Sequence, residues 1–193
     1  LLEDLLDLLQ LDQAYPGVMP PSLTKGLRAR VRKALRWLRV MSHPDGDIAF
    51  FNDAALGIAP PVATLEVYAC QLGIDGFADH LQALEVLPES GYVRMAVGDA
   101  VLIADVGPVG PDYLPGHAHA DTLSFELSLK GRRVLVNGGT STYAPGELRL
   151  RQRGTAMHNT VEVDGHDSSE VWGSFRVARR ARPLDVRWSH DGE

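Results

Sequence analysis

Apolar positions follow a helical rhythm in the first part of this chain and a two-residue rhythm in the second. In residues 1–14, Leu2, Leu5, Leu6 and Leu9 fall at helical spacing, with Leu1, Leu8 and Leu11 beside them and acids between. Tyr15-Pro16-Gly17 and Pro20-Pro21 end that helix. Ser22 is the predicted N-cap of a second helix running to about Ser42. Its stripe is Leu23, Leu27, Val31, Ala34, Leu38 and Met41, with Arg28, Arg32, Arg36 and Arg39 largely off it. After an Asp45-Gly46 turn and a loop through Phe50-Phe51-Asn52-Asp53, a third helix is predicted over 61–73, carrying Val62, Leu65, Tyr68, Ala69 and Leu72. Helices with buried stripes joined by loops predict helical hairpins.

The texture changes after Gly73. Residues 76–86 fit a short helix or a linker, and β-patterning dominates from Gly91. Predicted strands are Tyr92–Val97, Ala100–Val106, Thr122–Leu129, a run at Val134-Leu135-Val136, Thr160–Val163, Phe175–Ala181 and Leu184–Trp188. Gly98-Asp99, Lys130-Gly131 and Asp164-Gly165 supply the turns. In Thr122–Leu129 the alternation places Leu123, Phe125, Leu127 and Leu129 on the core face, with Thr122, Ser124, Glu126 and Ser128 outward. The expected fold is therefore α+β: helical hairpins over 1–87, then an antiparallel β-sandwich over 88–193.

Composition narrows the function only a little. The 193 residues suffice for one large or two small domains, and 45% hydrophobic with 23% charged content is ordinary for a globular protein. A net charge of −6 argues against a nucleic-acid binder. The single Cys70 allows neither an internal disulfide nor a Cys-rich zinc site, and among apolar helix positions it reads as a small hydrophobe. No apolar run reaches membrane-spanning length, and no signal-peptide pattern is present. The chain starts Leu-Leu-Glu without Met and ends in His190-Asp191-Gly192-Glu193, which reads as an excised piece of a longer protein.

The chemistry concentrates between Gly116 and Asn159. Gly116-His117-Ala118-His119-Ala120-Asp121 precedes the alternating strand, Asn137-Gly138-Gly139 follows the next apolar run, and His158-Asn159 closes the segment. In an extended His-X-His both rings leave the backbone on one side, which suits shared binding of a metal or substrate. A His-Ala-His pair by itself marks no site; Asp121, the strand and His158-Asn159 give it its functional reading. Arg149, Arg151 and Arg153 alternate and would share a face if extended, as a cationic subsite for carboxylate or sulfate. Asn52-Asp53 sits at a helix-hairpin end, where a helix cap competes with a role in a cleft. Trp37 reads as core, and Trp172 as a loop residue that either stacks a sugar or packs. His43, His80, His166 and His190 receive no role.

The ordered set from "GYVR" through "GDAVLIADVGPVGPDYLPGHAHADTLSFEL", "GRRVLVNGGTSTY" and "RGTAMHNTVEVDG" resembles the heparinase II/III family of polysaccharide lyases over residues 88–166. That resemblance implies an α/α toroid whose end is the helical part here, joined to a β-sandwich. It implies β-elimination of a uronic-acid polysaccharide such as heparan sulfate or alginate. Carried over by position, His117 is similar to the family's active-site histidine, and His119 and His158 to two ligands of its zinc. The third ligand position, an aspartate in the family, is Asn137 here. A neutral amide is a poorer zinc ligand than a carboxylate. Three alternatives stand: weak binding by Asn137, substitution by Asp121, or loss of the metal. The resemblance further implies an acidic polysaccharide partner, no nucleic acid, no membrane insertion, an open question of homodimerisation, and a bacterial periplasmic or secreted setting. The family's tyrosine and carboxylate-neutralising groups belong to toroid sequence that this chain does not include. Two rivals remain: a non-catalytic carbohydrate-binding or exopolysaccharide-assembly protein with the same fold, and a zinc hydrolase of the HxHxDH type, although Thr122 stands where that motif needs its third His.

Overall fold

Three helices open the chain in a computed structural model that describes residues 1–187; Trp188 and His190 lie outside the described residues. They are α1 (Leu2–Ala14), α2 (Pro21–Val40) and α3 (Val62–Gln71). Pro20 occupies the N-cap of α2 and Pro21 its first turn, where a missing N–H leaves nothing unsatisfied, so Ser22 lies inside the helix and does not cap it. The buried stripe of α2 is Leu27, Val31, Leu35 and Val40, while Leu23 is exposed. Leu27, Val31 and Leu35 pack with Leu6, Leu9, Leu65, Ala69, Leu72, Ile74 and Phe77 into one core. Burying each large aliphatic chain contributes about 1.5–3 kcal/mol. Off the stripe, Arg28, Arg32 and Arg36 donate to the carbonyls of Gly73, Asp75 and Asp79, tying α2 to the segment after α3. Cys70 is exposed, outside the core. Trp37 is also partly exposed: its ring meets Tyr92 edge-on at 6.2 Å, and its N–H donates to Ser90.

A five-stranded antiparallel meander follows in sequence order: β1 (Leu84–Leu87), β2 (Tyr92–Val97), β3 (Ala100–Asp105), β4 (Phe125–Leu129) and β5 (Arg132–Leu135). β1 is thus an edge strand of the sheet, where the sequence pattern predicted a helix or linker. Lys130 and Gly131 both take positive φ (49° and 75°), the two-residue turn whose twist matches a hairpin. Beyond β5 the predicted strands mostly fail. Residues 147–153 form a helix, α4 (Glu147–Arg153), and β6 (Val171–Trp172) pairs with β7 (Arg176–Val177) as a two-stranded ribbon. Around Asp164-Gly165 only a single bridge, Val163 to His166, remains, and 184–187 carry no strand. The fold is α+β, helices followed by antiparallel strands, which among the described residues form a five-stranded sheet and a two-stranded ribbon.

The sheet buries the face that the alternation assigned to solvent. Ser124, Glu126 and Ser128 are sealed, whereas Leu123 and Leu129 are exposed. Leu123 takes a φ of 63°, unusual for a side chain of its size, and the strand begins only at Phe125. The sealed face meets the segment after α2: Met41, Ala49 and Phe51 pack on Val101 and Ile103. Two of its polar groups, Glu126 and Ser128, are partnered there, whereas the Ser124 hydroxyl is not. His43 Nε2 meets Glu126 Oε2 at 2.9 Å, and Ser128 Oγ meets His43 Nδ1 at 2.8 Å. The Asn137 N–H donates to Glu126 Oε1 at 2.8 Å, and Arg133 lies 3.8 Å from Glu126 Oε2. The Ser–His–Glu alignment resembles a nucleophile triad, but all three side chains are sealed from solvent. It bolts the helical part to the sheet.

Candidate active site

Asp53 is the hub of the site, and the loop after α2 delivers it. Asn52 before it adopts φ 54°, a left-handed conformation that asparagine tolerates better than most side chains. The Asn52 amide donates to Tyr92 Oη at 3.1 Å, and its carbonyl oxygen accepts the His119 N–H at 3.4 Å. The loop is thereby laid against the His-Ala-His segment. Asp53 Oδ2 meets His117 Nδ1 at 2.8 Å, and Oδ1 meets His119 Nε2 at 2.8 Å. Thr140 Oγ1 donates to Oδ1 at 3.0 Å, and Arg149 grips both oxygens through Nη1 and Nη2.

The electrostatics follow from that geometry. Burial by itself would push the Asp53 carboxyl up, but hydrogen bonds from His119, Arg149 and His117 together outweigh it and hold the group well below the usual carboxylate range. An ionised Asp53 can only accept. His117 therefore carries its proton on Nδ1 and presents Nε2 outward, and its side chain is 62% exposed. His119 carries its proton on Nε2 and turns the Nδ1 lone pair inward, and it is wholly buried.

His119 Nδ1 faces His158 Nε2 at 3.3 Å. Two nitrogens on a tetrahedral zinc, each about 2.0–2.1 Å from the ion, stand roughly 3.3 Å apart. Ligand atoms of His119, Asp121 and His158 all lie within 4.8 Å of one another. Asp121 is 2% exposed, and its Oδ2 has no hydrogen-bond partner. A buried carboxylate oxygen with no donor is a costly arrangement that a cation would relieve. Burial, followed by the neighbouring His119, lowers His158 below the ordinary imidazole value despite the opposing pull of Asp121, which favours the neutral form that binds metal. The donor set fits zinc. Asn137 is differently engaged: its Oδ1 accepts the Asn159 N–H at 3.0 Å, fixing the chain beside His158. Asn137 thus turns its carbonyl oxygen to the backbone, while Asp121 lies within reach of His119 and His158.

The alternating arginines do not form a row. In α4, Arg149 and Arg153 are one turn apart and fully buried, while Arg151 points to solvent on another side. Arg149 is consumed by Asp53. Arg153 donates to the carbonyls of Ala118, Gly173 and Arg176. Arg149, Arg153 and Asp53 spend their polar groups on partners within the protein, Asn52 bonds Tyr92 and the His119 N–H, and Arg151 is exposed. Trp172 is exposed and has Arg176 over its ring at 5.7 Å. Sequence patterning missed Thr140, Arg149 as a clamp, and His43, because each is defined by a partner 83 or more residues away or by a loop contact.

Asp121 also lines a cavity of about 770 Å³ with Asn52, Tyr92, Asp105 and Thr122. Burial, followed by the nearby Asp121, pushes Asp105 up to about 8, against the opposing Gly107 N–H. Among the described residues, no helix is long and apolar enough to cross a membrane.

Residues 79–193 match the family model described as heparinase II/III-like, C-terminal. Among solved structures, heparinase III aligns with a TM-score of 0.67 at 18% identity, covering 89% of this chain and 32% of that one. The heparan sulfate lyase HepC from Pedobacter heparinus aligns with a TM-score of 0.58 at 20% identity, over 86% of this chain and 30% of its own. The chain thus spans about a third of the length of these solved relatives, and at such identities the likeness establishes a shared fold. No curated protein matches the sequence.

Proposed function

The chain belongs to the heparinase II/III-like family, and from that premise we propose that the protein cleaves a uronic-acid polysaccharide by β-elimination. The observation that carries this reading is the exposed His117 imidazole, held by an ionised carboxylate so that Nε2 faces outward. In β-elimination a base removes the C5 proton, α to the uronate carboxyl group. The C5–H electron pair becomes the C4=C5 double bond, the C4–O bond breaks, and an acid protonates the departing sugar oxygen. His117 Nε2 suits either proton transfer, since imidazole exchanges protons near neutral pH. Asp53 stabilises the imidazolium that forms when Nε2 accepts a proton, and it keeps Nδ1 from competing. A negative charge develops on the uronate carboxyl group and requires donors from the substrate cleft.

Zinc belongs to this proposal, with His119, Asp121 and His158 as the residues that would hold it. Bound there, the ion would supply structural cross-linking between the His-Ala-His segment and the 158–159 segment. Asp53 would orient the ligand His119 through its outer nitrogen, the usual arrangement behind a metal-bound imidazole. An acidic polysaccharide as partner and a periplasmic or secreted setting complete the reading.

The test uses the full-length protein with heparan sulfate and with alginate. Rising ultraviolet absorbance from an unsaturated uronate supports elimination. New reducing ends without that absorbance mean hydrolysis, and binding without either signal means a non-catalytic carbohydrate module.

A further inference from the structure

Beside His117 lies a pair of aromatic rings that the proton chemistry does not use. Phe175 is 43% exposed and Tyr143 is 47% exposed. They meet edge to face at 5.3 Å, and each lies within 6 Å of the His117 ring, at 5.7 and 5.8 Å. The buried Arg149 guanidinium approaches both rings, 5.2 Å from Tyr143 and 5.6 Å from Phe175. A cation covers their inner side, and a substantial part of each ring is left to water.

The segment carrying Phe175 is held rigidly. Arg149 Nε donates to the Ser174 carbonyl at 3.1 Å, and Arg153 donates to the carbonyls of Gly173 and Arg176 at 3.0 and 3.2 Å. Gly116, one residue before His117, lies so close that a Cβ there would sit 3.4 Å from the Phe175 carbonyl oxygen and 3.5 Å from its Cβ. The hairpin tip and the histidine segment therefore pack against one another. Two buried arginines each direct part of their donors to a surface turn whose phenyl ring is 43% exposed. Keeping a flat apolar ring bare is unfavourable, and a pinned backbone prevents the ring from collapsing into cover.

The geometry points to Phe175, with Tyr143 beside it, as a stacking platform for a pyranose ring of the substrate, setting that sugar against His117. A pyranose with mostly equatorial substituents gathers its C–H bonds on a flat apolar face, which complements the face or edge of an aromatic ring. Its hydroxyl and carboxylate groups project from the rim, where they stay hydrated or reach other donors. Phe175 is accordingly a positioning residue that recognises ring shape, not charge. This inference rests on the lyase reading for its kinetic arm and stands apart from it in its binding arm.

The experiment compares the full-length protein with its Phe175→Leu and Phe175→Trp variants. Leucine keeps the apolar bulk and removes the flat ring, so the hairpin retains its packing, and matching thermal melts verify this. For Phe175→Leu the expected result is a rise in KM of about tenfold with a much smaller change in kcat, the signature of lost ground-state and transition-state binding alike. Phe175→Trp should restore KM. Equal KM for wild type and Phe175→Leu, or failure of Phe175→Trp to restore it, overturns the platform. Should no polymer be turned over, equilibrium binding of a heparan sulfate tetrasaccharide and an alginate tetrasaccharide decides the matter separately. Weaker binding by Phe175→Leu that persists at high salt supports stacking, because screening removes charge contacts and spares apolar ones. Identical binding by the two proteins, or none by either, overturns it.

Discussion

Replacing Asp53 by asparagine tests the electrostatic reasoning most directly. The carboxylate accepts from His117, His119 and Thr140 and from two nitrogens of Arg149, and its side chain is 6% exposed. An amide of the same size keeps one acceptor oxygen and turns an N–H2 group toward donors. The wholly buried Arg149 guanidinium then has no counter-charge. Removing one partner of a buried ion pair costs about 3–5 kcal/mol. Against a typical total of about 5–15 kcal/mol, the variant should fold but melt early. The pH dependence has a definite sign. A carboxyl group whose folded value is depressed contributes fully above its unfolded value of about 3.9 and loses that contribution as pH falls toward the folded value. Urea titrations followed by circular dichroism at pH 7 and below pH 4 should show wild type losing stability on acidification. Asp53→Asn should lack most of that acid-side loss. A penalty under about 1 kcal/mol at pH 7, against the expectation for a buried pair, would show that Arg149 does not depend on this carboxylate, as would an unchanged acid slope.

Three shorter predictions follow from other parts of the site. His117→Ala should lower kcat by roughly 100- to 10,000-fold, the usual worth of a proton-transfer group. Because the ring is 62% exposed, the variant's melting curve should stay close to wild type; unchanged turnover would remove His117 from the chemistry. Asp121→Asn should reduce the zinc content of purified protein and remove the rise in melting temperature on zinc addition. Asn137→Ala should keep zinc bound, and elemental analysis reading the reverse order would reinstate Asn137 as the ligand. Glu126→Ala should cost about 1–3 kcal/mol for each buried donor it leaves unpaired, at His43 and at the Asn137 N–H. A loss within the range of ordinary surface substitutions would mean the helical part is held to the sheet by apolar contacts alone.

The helices were legible because their burial repeats within the element. Val62, Leu65, Ala69 and Leu72 in and just after α3 needed no knowledge of any neighbour. The Lys130-Gly131 turn was equally local. What failed depended on partners distant in sequence. β4 alternates cleanly, yet it turns Glu126 and Ser128 inward, because His43 and Ser42–Phe51 supply a polar and apolar lining that no strand pattern contains. Arg149, Arg151 and Arg153 looked like an extended cationic row, and a short helix put two of them in the interior. The convergence of His117, His119 and His158 was visible as an ordered motif. Asp53, the group that aligns two of them, was visible only as one half of an Asn-Asp pair some 64 residues upstream.

That distance has a mechanical meaning. The carboxylate orienting His117 rides on the loop after α2, whereas the ring belongs to the segment leading into β4. Any sliding of the helices across the sheet would pull the two apart, freeing the imidazole to swivel and to exchange its tautomer. Proper seating of one half of the molecule on the other is thus reported at a single nitrogen, so that under the proposed function competence for chemistry and correct assembly become the same condition.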